Sequence, residues 1–171
     1  MKTNSTRLFL LLVPALLISV LAVATVEGAR PTVSTGHFST VSSVLLSTRT
    51  HGDITVSTFQ NTLSITGILT GNVVGPVRNV LNTRTHTLTV HGRGLFTGTA
   101  NGHSGTLILT ANGNVVGGAL TGRFTLSHGT GDLANFSGHG TFTMAPGATI
   151  GDYTLTWHVS HHADGQDEQS D

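Results

Sequence analysis

The sequence predicts an all-β fold of about eight or nine short strands, a single closed antiparallel barrel. Three observations carry that expectation. Apolar residues alternate with Ser and Thr over short runs, the period of a half-buried strand. Turn signals separate these runs at about 8–12-residue spacing, the rhythm of sandwiches and barrels. No segment repeats its apolar residues at helical spacing. A closed barrel is preferred because closure removes sheet edges, and these strands carry little charge to protect an edge.

Taken in order, Thr32–Thr40 and Val41–Thr48 read as extended, with a weak break at Gly36. The second run has apolar residues on both parities, Val41 and Leu45 against Val44 and Leu46, so its buried face is ambiguous. Gly52-Asp53 turns the chain. Ile54 and Val56, then Leu63 and Ile65, alternate with Ser and Thr. The apolar parity shifts at Gly67, as at a bulge within a strand. Gly71-Asn72-Val73-Val74-Gly75 and Gly113-Asn114-Val115-Val116-Gly117 echo each other, too few copies for a solenoid. Pro76 is expected at an edge, bend or loop because it lacks an amide donor.

Leu88 and Val90 share one face of the next strand, and Leu95–Gly98 continues it. Asn101-Gly102 is a strong hairpin signal, and Asn112-Gly113 reads as the next hairpin. Leu107 and Leu109, then Phe124 and Leu126, face one way on their strands, and Phe142 and Met144 follow. Ala145-Pro146-Gly147 turns into the last strand. There Tyr153, Leu155, Trp157 and Val159 alternate with Thr154, Thr156 and His158. Ahead of that strand lies a glycine corner, Gly129-Thr130-Gly131-Asp132-Leu133, followed by Gly138 and Gly140.

Composition supports one domain. The 171 residues include 22 Gly and only 9% charged residues, with Ser and Thr filling most polar positions. Six Arg against three Asp between Arg30 and Ser160 leave a net charge of +3, without a basic cluster. Nucleic acid is therefore not an expected partner. No Cys is present, which excludes disulfides and thiolate metal sites.

Lys2 and Arg7 precede an apolar run from Leu8 to Val26, with a small-residue site at Ala22-Val23-Ala24. That is the order of a secretory signal peptide over residues 1–28, and the protein is expected to be secreted or extracytoplasmic. An uncleaved anchor is the alternative and the one expected membrane contact. A cysteine-free exported domain leans towards a bacterial source. The barrel is expected over residues 30–160. An acidic disordered tail, with Asp164, Asp167, Glu168 and Asp171, is expected over residues 161–171.

Several glycine-centred runs resemble the bacterial domain-of-unknown-function family 3224. They are Gly102-His103-Ser104-Gly105-Thr106-Leu107, Gly129-Thr130-Gly131-Asp132-Leu133-Ala134, the Gly138–Gly140 pair, Tyr153-Thr154-Leu155, and Gly67-Ile68-Leu69-Thr70-Gly71. The resemblance runs from about Phe38 to Val159. It implies an eight-stranded allene oxide cyclase-like, or calycin-like, barrel with room for an apolar cavity, and no established activity. It also implies that members carry a Glu near Gly94 and a His near Ala111, polar groups that this chain lacks.

The candidate cavity-lining residues are Arg84, His86, Leu88, Leu107, Phe124 and His128, with Tyr153 and Trp157 on the last strand. Arg84, His86 and His128 share parity with apolar neighbours. A neutral His inside a barrel could act as acid or base near neutral pH. Register slips by one residue easily, however, and a place at the barrel mouth in contact with water is the simpler reading. Gly129, Gly131, Gly138 and Gly140 are the candidate structural glycines.

The ten His show no metal-ligand spacing, so no metal site and no cofactor are expected. No Gly-x-Ser-x-Gly elbow occurs. Asp53, Asp132 and Asp152 each adjoin a glycine and read as turn formers. Asn135-Phe136-Ser137 is a glycosylation sequon, relevant only in a eukaryotic secretory pathway.

Three functions fit this reading. The preferred one is an exported barrel binding a small apolar ligand. A structural or surface-assembly protein with a filled barrel, homo-oligomeric or not, is the second. A cyclase or isomerase, by analogy of fold alone, is the third.

Overall fold

The structure, a computed structural model, describes residues 30–160. The expected leader and acidic tail lie outside the described residues.

Eight strands follow one another: β1 (Thr32–His51), β2 (Ile54–Gly67), β3 (Leu69–Asn82), β4 (Thr87–Ala100), β5 (His103–Val116), β6 (Ala119–Gly131), β7 (Phe136–Met144) and β8 (Ile150–Val159). Each pairs antiparallel with the next, and β8 pairs with β1 to close the ring. The alternating pattern thus becomes an eight-stranded antiparallel barrel, one face of each strand pointing inward.

Two expected hairpins behave differently. Asn101 and Gly102 both have positive φ, 50° and 82°, and form the tight turn between β4 and β5. Asn112-Gly113 is not a turn. Gly113 lies within β5, opposite Val90 on β4 and Gly122 on β6. The turn falls instead at Gly117-Gly118, with φ of 58° and 82°. Gly113 answers a packing demand: a Cβ there would lie 3.0 Å from the Phe142 ring.

Gly67 is likewise not a mid-strand bulge. It closes β2, and with φ of 111° and Ile68 it forms the corner into β3. Pro76 sits inside β3 opposite Gln60 of β2. The β3–β4 ladder breaks there, passing from the Val74–Leu95 pair to the Val77–Gly92 pair, so the missing amide donor falls at a gap.

β1 is continuous, without a break at Gly36. Its mixed parity comes from two register shifts against β2, between Thr40 and Ser42 and between Leu45 and Ser47. Each adds one residue and turns the following residues to the other face.

The barrel is filled at one end only. Phe96, Leu107 and Leu155 are 0% exposed, and Leu69, Leu126 and Leu133 nearly so. They cluster where β2 meets β3, β4 meets β5 and β6 meets β7, here called the lower end. The glycine corner closes that end. The Asp132 amide donates to the Ser104 carbonyl, and the Phe136 amide to the Leu133 carbonyl, both at 3.0 Å. This tucks Leu133 and Phe136 beneath the ring. Gly129 leaves room for the Leu133 backbone, which a Cβ would overlap. Each buried aliphatic side chain in this plug contributes about 1.5–3 kcal/mol through apolar burial.

Candidate functional site

Above the plug the barrel is hollow. A cavity of about 170 Å³ occupies the upper half. Phe38, Leu63, Val73, Leu109, Phe124 and Phe142 line it, with Tyr153. These residues come from seven strands and share the inward parity of their ladders. Phe38 stands opposite Ile65 on β2 and Gly151 on β8, and Phe124 opposite Ala111 on β5 and Gly140 on β7.

The aromatic rings fit because glycines face them. A Cβ at Gly151 would run into the Phe38 ring, one at Gly122 into Phe142, one at Gly140 into Phe124, and one at Gly36 into the Tyr153 phenol. Each ring therefore lies across a neighbouring strand. The rings then meet edge to face, Phe38 with Phe142 and Phe124 with Tyr153, both at 6.0 Å between centroids. Much of the glycine content thus serves side-chain packing inside the barrel.

Tyr153 forms part of the cavity wall and its hydroxyl is already engaged. It donates to the Thr66 carbonyl and accepts from the Leu69 amide, each at 3.2 Å. Both partners flank the Gly67-Ile68 corner, so the phenol ties that corner to the barrel wall. Burial raises its pKa above 10.0, and the phenol is neutral at physiological pH.

Polar groups gather towards the upper rim. Ser43 Oγ donates to Asn61 Oδ1 at 2.8 Å, and Thr48 shares a hydrogen bond with Ser57 at 2.9 Å. Asn61 lines the cavity, and Ser43, its cross-strand partner, lies on the same face. Asn79, opposite Ser57 and Val90, has a buried Oδ1 without a hydrogen-bond partner. The site is therefore an apolar chamber with polar groups towards its rim, and Arg93 is among the residues that line it. Among the described residues no carboxylate or imidazole lines it.

The residues singled out in the sequence divide sharply. Phe124 and Tyr153 line the cavity. Leu88 shares Val90's parity but sits higher, between Leu81 and Val115, outside the lining. Leu107 belongs to the filled lower half. Trp157 also lies low, stacked on Phe136 at 5.2 Å, its Nε1 donating to Ser34 Oγ at 3.1 Å.

Arg84, His86 and His128 are outside the cavity. Arg84 and His86 occupy the β3–β4 turn. The Arg84 side chain is 80% exposed and 4.0 Å from Asp53. His86 has φ of 53° and His128 has φ of 54°. Such backbone leaves the regular strand alternation on which parity depends. His128 is exposed and bonds Ser127 at 2.8 Å.

The four structural glycines all sit at crowded points: Gly129 and Gly131 at the plug, Gly138 against Leu155, Gly140 against Phe124. Among the described residues no three His, Asp or Glu side chains converge as metal ligands would.

Sequence reasoning did not single out Phe38, Phe142, Leu63 or Val73 as cavity wall. A usable signal existed, since Phe38, Phe124, Phe142 and Tyr153 each have a glycine on an adjoining strand, but it requires the register. Gly94 and Ala111 both stand on the wall.

Comparison with known proteins agrees with the fold. A solved structure of a protein with unknown function from the DUF3224 family of Shewanella oneidensis MR-1 superimposes with a TM-score of 0.67. The two share 14% identity over 78% of this chain and 100% of that chain, a likeness of fold. No curated protein matches the chain. The family model "Protein of unknown function (DUF3224)" matches residues 34–157, nearly the whole barrel, and the chain belongs to that family.

Proposed function

We propose that the protein is an exported barrel that binds one small apolar ligand in its upper half. The observation behind this reading is the division of the barrel: a packed lower half, and a hollow upper half walled by Phe, Leu and Val beneath a polar rim. Convergent apolar walls with a few polar groups are the usual make-up of small-molecule sites. The export reading rests on Lys2, Arg7, the apolar run after them and Ala22-Val23-Ala24. With it goes the finer fold label, an allene oxide cyclase-like or calycin-like barrel.

Volume bounds the ligand. The cavity of about 170 Å³ is far smaller than a drug-sized site, which takes roughly 300–1,000 Å³. It is close to an engineered cavity of about 150 Å³ that accepts benzene. The ligand that fits is a single ring or a short branched hydrocarbon, with any polar group directed at Asn61. The Tyr153 hydroxyl is already occupied by Thr66 and Leu69, which weighs against a cyclase or isomerase built on it.

A thermal-melting series graded by ligand size tests the reading. Single-ring compounds should raise Tm in a saturable way, and long-chain fatty acids should not. A flat response across the series, or a response only to long chains, would remove the proposal.

A further inference from the structure

β1 is longer than its place in the barrel requires. It pairs with β8 only from Thr32 to Ser39, because β8 begins at Ile150 after the Ala145–Thr149 turn. From Thr40 to His51 it runs on, paired with β2 alone. Among the described residues this leaves a free strand edge at the upper rim of an otherwise closed barrel. Its backbone donors and acceptors on that side have no strand partner.

The edge lacks most protective features. Between Ser39 and Thr48 there is no charged residue, no Pro and no Gly. Val41, Val44, Leu45 and Leu46 are each more than half exposed. The two register shifts bend the edge, and both place an aliphatic residue, Val41 or Leu46, at the extra position.

The strand is also suited to itself. Its apolar centre, Val44-Leu45-Leu46, has Ser and Thr on both sides: Ser42 and Ser43 before it, Ser47 and Thr48 after it. A two-fold axis between Leu45 and Leu46 sets Ser43 of one copy against Thr48 of the other. Those two share the inner face, since they pair with Asn61 and Ser57 respectively. The same axis sets Val44 against Ser47, both on the outer face with Gln60 and Thr58. Arg49, the one charge, then falls opposite Ser42. The two arginines lie at opposite ends of the ladder, whereas a parallel arrangement would put them side by side.

We infer that two copies of this chain pair antiparallel through the Thr40–His51 edge of β1, forming a two-fold dimer centred on Leu45 and Leu46. Main-chain hydrogen bonds across the edge supply the contact, and the four aliphatic residues supply the burial. About a dozen residues a side is fewer than the 20–30 of a standard interface, so the dimer is concentration-dependent.

The chain has no Cys, so the register can be read by crosslinking. In untagged full-length chain, sedimentation should show a concentration-dependent mass of twice the monomer. Leu46→Lys, at a solvent-exposed position, should abolish it while leaving the melting curve in place, and Val44→Lys should do the same. Under mild oxidation Leu45→Cys should give a disulfide-linked dimer. Val33→Cys, on the stretch paired with β8, should stay monomeric. Three outcomes would overturn the inference: a chain monomeric at every concentration; an association unchanged by both Lys variants; or equal crosslinking from Val33→Cys. A monomer that takes up an unrelated extended peptide at this edge would reassign it to another partner and overturn the dimer as well.

Discussion

The Tyr153 hydroxyl donates to the carbonyl of Thr66 at 3.2 Å, a bond joining residues 87 positions apart in the chain. The Leu69 amide completes the pattern by donating to the same oxygen. One phenol thereby satisfies two backbone groups at the corner where β2 turns into β3. Tyr153→Phe removes the partner and keeps the ring. It should destabilise the fold by about 1–3 kcal/mol, the cost of leaving buried backbone groups unpaired, as measured by urea unfolding. Deletion of the hydroxyl with no loss of stability would contradict this role.

The same residue makes a prediction about pH. Burial raises the Tyr153 pKa above 10.0 in the folded chain, while the unfolded chain ionises near 10.0. A raised pKa adds stability that is fully present below pH 10 and is lost as pH climbs through the folded value. Tyr153 is the only Tyr, so ultraviolet titration of the phenolate reports it directly. The folded chain should titrate above pH 10, and Tyr153→Phe should lack this alkaline loss of stability.

Gly140 faces the Phe124 ring, whose Cε1 would lie 2.7 Å from an added Cβ. Gly140→Ala should cost about 1–3 kcal/mol by overpacking, and the Tm drop should show it. Because the Thr154 carbonyl also crowds that position, Phe124→Leu should recover only part of the loss.

Leu133 tests the plug. It is 1% exposed and carried by a four-residue connection between β6 and β7. Leu133→Ala should cost about 2–5 kcal/mol, as for other buried leucines. The fluorescence of Trp157, the only Trp, should shift with it, since Trp157 stacks on the neighbouring Phe136.

Most of the fold was legible in the sequence because strand alternation is local. Leu63 to Ile65 and Tyr153 to Val159 announce their faces without tertiary information, whereas Ile54 and Val56, on the same unshifted strand, fall on the other face. The site was less legible because its geometry depends on register. Parity placed Arg84, His86 and His128 inside, yet each lies at a turn or a positive-φ residue where alternation stops. Leu107 and Trp157 do point inward, but parity cannot tell the packed half of a barrel from the hollow half. Asn112-Gly113 carries the hairpin signature without the hairpin, because Gly113 is needed for the approach of Phe142. Gly140, read beside the glycine corner, and Gly113, read as a hairpin, are sockets for rings on other strands, a relation between positions far apart in the chain.

The ligand proposed for the upper cavity can be sought by mass spectrometry of the organic extract of untagged protein. Ala111→Phe is the matched control. Ala111 stands on the cavity wall facing Gly92, so a ring there fills the chamber without touching the plug. The parent protein should release one small apolar compound near one per chain, and a folded Ala111→Phe variant should lose it. An empty extract from the parent protein, or the same compound at the same ratio in both, would contradict the proposal.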